Sequence, residues 1–319
     1  EGAAQMLSST ADNLFWMARY MERSENTARL LTGLYHMSLL PARRGAQAGL
    51  WEGLFQSVDE RDAYLAKYDA FKTDPVLTYM VLDRANPSSI RSCVWSAREN
   101  VRATRHVLTT DMWETINSTW LDIAQVTYAD MLDMGHHEFL EWIKVRSHLF
   151  RGVAHGTMRR GDAFEFWRMG VFIERAENTI RLLAARAHTF KPTGPVSRED
   201  TATLDYYQWG TLLRSVNAYK AYREIYKSQI DPRRVVELLT LNAEIPRSVM
   251  ACVEEICEVL QGLRPRSRSA EQAGDLLNRL QSARIDRVYR TGMARFLEDY
   301  RGGLHDLSLQ IQKDFLMIQ

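Results

Sequence analysis

One charged decapeptide occurs twice in this chain, and the repetition constrains the fold more than any other feature. ERSENTARLL at residues 22–31 returns 152 residues later as ERAENTIRLL at residues 174–183, with eight of ten positions identical. Shorter matches follow at similar offsets: WEGLFQS at 51–57 with WGTLLRS at 209–215, and PSSIRSCV at 87–94 with PRSVMACV at 246–253. The spacing predicts a tandem duplication of one unit about 150 residues long.

Helical signals fill both copies, whereas period-two alternation and Asn-Gly or Asp-Gly hairpin turns are scarce. A long first helix is predicted from Ser8 or Ser9 to the break at Pro41. Further helices are predicted around Trp51, after Asp74-Pro75, after Asn86-Pro87, from Asp111 with Glu114 in capping-box spacing, over 136–153, over 162–189, and near Asp200, Asp231-Pro232 and Pro246. The fold class predicted is all-α: an internally duplicated helical bundle with pseudo-twofold symmetry.

The domain organisation expected is a single domain over residues 6–319, made of two repeats at about 6–158 and 159–319. Residues 1–5 precede a native start expected at Met6, and we treat them as a non-native remnant. The segment KPTGP at residues 191–195 is the best linker candidate. We nevertheless expect one fused bundle, because a long amphipathic helix must bury its apolar stripe against another element.

The repeated decapeptide places two carboxylates, an amide and a guanidinium on one helical face. At 100° per residue, the side chains of Glu22, Glu25, Asn26 and Arg29 fall within an arc of about 100°. The candidate binding residues are therefore the polar members of both copies: Glu22, Arg23, Glu25, Asn26, Arg29, Glu174, Arg175, Glu177, Asn178 and Arg181. Three interpretations stay open: a solvated stripe of weak ion pairs, a buried network in which each Glu meets an Arg of the other copy, or a binding cleft.

A second group of basic residues, Arg98, Arg102 and Arg105, has the spacing i, i+4, i+7. This stripe is either a solvated, ion-paired face or a contact for an anion or a partner. Arg159-Arg160 and RPRSR at residues 264–268 resemble loop charges without interleaved aromatic residues at useful spacing, so nucleic-acid binding is not expected. A formal net charge of +1 gives no general attraction to polyanions.

The sequence lacks the motifs that are typical of several metal, cofactor and catalytic sites. The sequence has no Glu-x-x-His pair for a di-metal bundle, no P-loop, no GxGxxG and no GxSxG, so no metal or cofactor is predicted. The three cysteines lie in apolar helical patterns without metal-ligand spacing. Thiols of this kind suit a reducing cytoplasm, and no run of about 18 apolar residues predicts a membrane span.

The segments that contain the repeated face also carry a family resemblance. MLSSTADNLFWMARYMERSENTARLL at residues 6–31 resembles the start of the alpha-E family of bacterial helical proteins, which is named for its Glu-Arg motif. ARENVRATRHVLTTDMWETIN at 97–117 and GDAFEFWRMGVFIERAENTIRLL at 161–183 are similar to its recurring segments. One departure concerns Val171, since the family tends to carry a second Arg after the Gly at this point.

The resemblance implies association more than catalysis. Members of the family are typically encoded beside, or fused to, a circularly permuted ATP-grasp protein, often with a transglutaminase-like protein. The function expected is thus a non-catalytic or co-catalytic partner subunit of an ATP-grasp-type amide or peptide ligase. The alternatives are an enzyme acting on amide bonds, with a Glu as general acid or base and an Arg as carboxylate clamp, and a purely structural bundle.

Overall fold

The computed structural model describes residues 8–39, 46–58, 60–188 and 198–316, and these ranges contain helices and no β-strand. The all-α fold class is confirmed. The described α-helices are α1 Ser8–Ser38, α2 Ala46–Val58, α3 Arg61–Leu65, α4 Thr73–Leu77, α5 Ile90–Ala103, α6 Thr110–Ala124, α7 Tyr128–Met134, α8 His136–Thr157, α9 Asp162–His188, α10 Arg198–Ser215, α11 Tyr219–Tyr226, α12 Pro232–Leu241, α13 Val249–Leu263, α14 Arg268–Ser282, α15 Ile285–Thr291 and α16 Met293–Ile311. π-Helical turns at Thr78–Leu82 and Gln312–Leu316 continue α4 and α16.

Local sequence explains most of the observed helix starts. Ser89 and Ser248 precede α5 and α13 in extended conformation, and each hydroxyl accepts a hydrogen bond from the backbone N–H three residues on. Asp231 caps α12 in the same way, and Pro232 occupies the first helical position, where a missing N–H costs nothing. The helices predicted after Asn86-Pro87 and at Asp231-Pro232 are therefore present. The predicted linker and the remnant at residues 1–5 lie outside the described residues.

The capping box predicted for Asp111–Glu114 is wrong. Helix α6 begins at Thr110, and its cap is the hydroxyl of Thr109, which accepts from the backbone N–H of Met112. Asp111 lies inside the first turn, where its negative charge still favours the positive end of the helix. A capping box does occur at the start of α7, between Thr127 and Asp130.

The two helices that carry the decapeptides, α1 and α9, pack against each other at the centre of the described structure. Helix α1 also contacts α5 and α8 of its own half and α10 of the other. Helix α9 correspondingly contacts α13 and α16 of its own half and α2 of the other. Each decapeptide helix is therefore enclosed by elements from both halves.

Within each half the outer helices follow the same packing order, with α5 on α6 and α6 on α8, and α13 on α14 and α14 on α16. Equivalent side chains also have equivalent contacts: the thiols of Cys93 and Cys252 lie against the carbonyl oxygens of Pro87 and Pro246. The duplication, its symmetry and the repeat boundaries remain predictions from the sequence.

The buried apolar side chains of the described residues form one cluster that runs through both halves. Trp51 on α2 and Trp209 on α10 are buried, and each of these helices packs against the decapeptide helix of the opposite half. Burying one large apolar side chain contributes on the order of 2–3 kcal/mol, so this cluster is the main stabilising term. No described helix combines the length and apolar character needed to cross a bilayer.

Candidate functional site

The close crossing of α1 and α9 determines where the two decapeptides meet. A Cβ atom added to Gly170 would lie 2.3 Å from the backbone oxygen of Phe15 and 2.9 Å from the Cβ of Ala18. Ala18 is also the residue to which Gly170 corresponds in the sequence repeat. Because one turn further along each helix lie Glu22 and Glu174, this contact holds the two charged faces together.

The two Glu-Arg dipeptides exchange ion pairs across this crossing. Arg23 donates from Nε to Glu174 Oε1 at 2.7 Å and from Nη2 to Glu174 Oε2 at 2.9 Å. In the reciprocal direction, Arg175 Nε donates to Glu22 Oε1 at 2.9 Å. The arrangement matches the buried-network interpretation, in which each Glu meets an Arg of the other copy.

Two arginines from outside the decapeptides complete the first cluster, because each bridges Glu22 and Glu25. Arg151 on α8 lies 2.6 Å from Glu22 Oε2 and 2.5 Å from Glu25 Oε2. Arg247, just before α13, lies 2.7 Å from Glu22 Oε1 and 2.6 Å from Glu25 Oε1. Four elements, α1, α8, α9 and the segment before α13, thus converge on two carboxylates.

Glu25 has the most contacts of the motif residues that the structure describes. Its carboxylate also accepts from Arg29 Nε at 2.8 Å and from the Ser147 hydroxyl at 3.0 Å, and it lies 3.3 Å from His148 Nε2. Glu22 is 2% exposed and Glu25 0%. The solvated-stripe interpretation is therefore wrong for this half, because neither carboxylate reaches water.

The second cluster surrounds Glu174 and Glu177 and contains fewer cations. Arg19 donates from Nε to Glu174 Oε2 at 2.8 Å, from Nη2 to Glu177 Oε2 at 2.5 Å, and from Nη1 to the Ser308 hydroxyl at 3.0 Å. The residue equivalent to Arg19 in the second repeat is Val171, so the two clusters cannot be identical. The Glu177 side chain keeps 25% of its surface exposed.

The amides and the last arginine of each decapeptide also differ between the copies. Asn26 Oδ1 accepts from Arg247 at 2.7 Å, whereas Asn178 Oδ1 accepts from Arg181 Nη2 at 3.3 Å. Arg29 pairs with Glu25, but Arg181 has no carboxylate within ion-pair distance in the described residues, and its Nε is buried without a hydrogen-bond partner. Burial is the main cause of the lowered pKa of Arg181, and the nearby Arg23 adds to it.

The electrostatics separate Glu177 from the other three carboxylates. Burial alone would raise the pKa of Glu22, Glu25 and Glu174, but the surrounding arginines outweigh it, helped at Glu25 by the hydrogen bond with His148, and hold each pKa below the ordinary value of 4.5. Burial raises the pKa of Glu177, the Glu174 charge adds to the rise, and Arg19 only partly opposes it. Three glutamates are thus fixed anions, and Glu177 is the carboxylate of the set that protonates most readily.

These shifts predict that acid destabilises the protein. A carboxylate whose folded-state pKa lies below its unfolded value of 4.5 contributes stability above that pH and loses it as the pH falls toward the folded value. Glu177 acts in the opposite sense, since a raised pKa contributes stability below 4.5 that is lost as the pH rises through the folded value. Because three carboxylates have a lowered pKa and only one has a raised pKa, the loss of stability in acid dominates. Urea denaturation should therefore show a free energy of unfolding that falls steeply below about pH 4.5. Unchanged stability down to about pH 3 would contradict the ion-paired state of the network.

The stripe predicted at Arg98, Arg102 and Arg105 does not join either cluster. Arg98 and Arg102 pair with Glu99, and Arg98 also donates to Asn117 at 2.9 Å. The Arg105 guanidinium lies 4.5 Å from the ring centre of Trp113. The stripe therefore forms an ion-paired and aromatic-covered face between α5 and α6, and partner binding there stays a prediction.

Sequence reasoning missed the arginines that neutralise the motif glutamates, namely Arg19, Arg151 and Arg247. Arg247 lies in the repeated segment PRSVMACV, but its equivalent is Ser88, so the repeat itself did not point to it. Arg151 has no repeated context. The one usable signal was Arg19, one turn before Arg23 on the same helical face.

The remaining candidates for reactive chemistry are the cysteines and the pair His136-His137. Cys93 and Cys252 are buried, and burial raises the pKa of each thiol to about 12. No group of three or more potential metal ligands is found among the described side chains. His137 lies 4.0 Å from Glu141, and His136 instead contacts the Tyr128 hydroxyl at 3.0 Å.

A family model described as a predicted alpha-helical domain with a conserved ER motif matches residues 6–316. The chain belongs to the Alpha-E family. No curated protein and no solved structure gives a significant match. In this Alpha-E chain the Glu-Arg dipeptides of the two decapeptides are the residues that exchange ion pairs at the centre of the fold.

Proposed function

We propose that this Alpha-E protein is a non-catalytic or co-catalytic partner subunit of an ATP-grasp-type amide or peptide ligase. The observation that carries the proposal is the enclosure of Glu22, Glu25 and Glu174, each at most 2% exposed and each held by arginine. The choice of partner class rests on the association that the family resemblance implies.

The geometry argues against general acid or base catalysis by these three residues. A general acid needs a proton to donate, but the arginines keep all three ionised by lowering their pKa. A general base must also come within hydrogen-bond distance of a substrate, and enclosed carboxylates cannot do so. The network instead holds α1, α8 and α9 in a fixed relative position, as a rigid platform for a partner requires.

One observation favours the enzymatic alternative. Glu177 has a raised pKa, a partly exposed side chain and an adjacent guanidinium from Arg19. A partly exposed carboxyl whose pKa is raised is the kind of group that acts as a general acid or base. The alternative therefore depends on Glu177 rather than on the fully enclosed glutamates.

The test mixes the purified chain with a circularly permuted ATP-grasp protein from the same organism, the partner class that the family resemblance implies, and measures co-elution and ADP release. We expect the two proteins to co-elute and ADP release to require both. The variant Glu177→Gln should change neither result, with Glu141→Gln as a matched control at an exposed carboxylate. Separate elution, or an ATP-grasp protein that is equally active alone, would contradict the partner role. Amide ligation or hydrolysis by the isolated chain, abolished by Glu177→Gln, would establish the enzymatic alternative instead.

A further inference from the structure

A cavity of about 430 Å³ lies on the outer side of the Arg23–Glu174 pair, between α1 and the start of α5. Its lining combines aromatic, basic and hydroxyl side chains: Trp16, Tyr20, Arg23, Arg84, Pro87, Ser88, Arg91, Ser92, Trp95 and Ser96. No aspartate or glutamate is among these residues, although three of them are arginines. The volume is within the range of pockets that bind small molecules.

Two of the three arginines have no acidic partner in the described part of the chain. Arg23 is neutralised by Glu174, whereas Arg84 and Arg91 form no ion pair with any described carboxylate. Arg91 donates from Nη2 to the backbone oxygen of Val126, but its Nε is buried without a hydrogen-bond partner. Burial lowers the pKa of Arg91, and the Arg84 charge lowers it further. A cation in this state gains more from a bound anion than a solvated one does.

The equivalent positions in the second half of the chain carry different side chains. There the residue equivalent to Ser88 is Arg247, whose guanidinium extends to Glu22 and Glu25. The equivalents of Trp16 and Ser96 are Arg168 and Glu255, which lie 2.5 Å apart as an ion pair. The second half therefore carries its own acid at this place, whereas the cavity of the first half contains two arginines without an ion-pair partner among the described residues.

The aromatic residues of the cavity indicate what else a bound anion would carry. Trp95 is 43% exposed at the edge of the cavity, and Trp16 and Tyr20 lie half-buried beside it with ring centres 5.6 Å apart. Exposed tryptophan of this kind stacks with flat rings.

We propose that this cavity binds a small molecule in which a phosphate group is attached to a planar ring. The phosphate lies at Arg84 and Arg91, and the ring lies at Trp95 and Trp16. The cavity is independent of the partner role proposed above.

Isothermal titration calorimetry with phenyl phosphate tests the proposal, with inorganic phosphate and phenol as the two halves of the probe. We expect phenyl phosphate to bind with a Kd of about 1 mM or below, and each half alone to bind at least about tenfold more weakly. Arg84→Gln and Arg91→Gln should each weaken binding by about tenfold or more. Arg301→Gln, which removes the same charge from an arginine on α16 whose side chain is 57% exposed, should leave the Kd within about twofold.

Ser88→Arg is the sharpest variant, since it copies the residue that occupies the equivalent place in the second half. It should abolish phenyl phosphate binding while the far-ultraviolet circular dichroism stays that of the wild type, and Ser88→Ala should bind as the wild type does. No binding at about 10 mM phenyl phosphate would overturn the proposal. Unchanged binding by both Ser88→Arg and Arg91→Gln would also overturn it, as would inorganic phosphate binding as tightly as phenyl phosphate.

Discussion

Glu25→Gln is expected to lower the free energy of unfolding by about 3–5 kcal/mol at neutral pH. The substitution keeps the size of the side chain and removes one negative charge from a site that is 0% exposed. Arg151 and Arg247 would then share the carboxylate of Glu22 with Arg175, and Arg29 would lose its ion-pair partner. Breaking a buried ion pair from one side leaves an uncompensated charge, which is why the expected loss exceeds that of a surface pair. Urea denaturation monitored by circular dichroism measures it.

The control for this prediction is Glu141→Gln on α8. Glu141 pairs with Lys144, but 45% of its side chain is exposed, so water screens the interaction. We expect this variant to lie within about 1 kcal/mol of the wild type. If Glu25→Gln proved equally mild, the carboxylate would have to be hydrated, and the enclosed network would not exist in solution.

The second large effect is expected from Gly170→Ala, which adds a single methyl group at the crossing of α1 and α9. The new Cβ would lie 2.3 Å from the Phe15 backbone oxygen, so the two helices must separate. Overpacking of this kind costs about 1–3 kcal/mol, and here the shift also lengthens the ion pairs one turn away. Alanine is the better helix former by about 1 kcal/mol, so the steric cost must exceed that gain to appear as a loss. We expect a net loss of about 2 kcal/mol in urea denaturation.

Gly152→Ala on α8 is the matched control, because a Cβ at that position meets no atom within 4 Å. There the helix propensity acts alone, and a gain of up to about 1 kcal/mol is expected. Opposite signs for the two variants would show that contact between the helices, and not helix propensity, governs position 170. A gain at both positions would mean that α1 and α9 do not approach closely at Gly170.

Glu25 and Gly170 also show why the polar face of α1 can be buried only where α1 crosses α9. The helical wheel places Glu22, Glu25, Asn26 and Arg29 together, but α1 has buried residues all round, since Met17, Ala28 and Leu31 are enclosed as well. A single helix cannot bury charge on one side and apolar groups on the other without partners on both. Helix α9 and the arginines of α8 and the α13 start supply those partners on the charged side.

Local sequence determined the helical class, the two charged decapeptides and most helix starts, because capping, proline punctuation and the 3.6-residue period act over a few neighbouring residues. The errors of the prediction from sequence also concerned local features. The sequence did not locate α3, α7, α11, α14, α15 or α16, and it assigned the α6 cap to Asp111 when Thr109 was two residues nearer the N-terminus.

Only the tertiary structure decided whether the charged faces of the two decapeptides were exposed to solvent or buried. The deciding contacts join Glu25 to Arg151 and Arg247, which are 126 and 222 positions away in the chain. Periodicity carries no information over such separations, since it describes which face a side chain occupies and not what comes to cover that face. Desolvation and ion pairing depend on the covering elements, so the chemical state of the repeated glutamates became clear only when α1 and α9 were seen to cross.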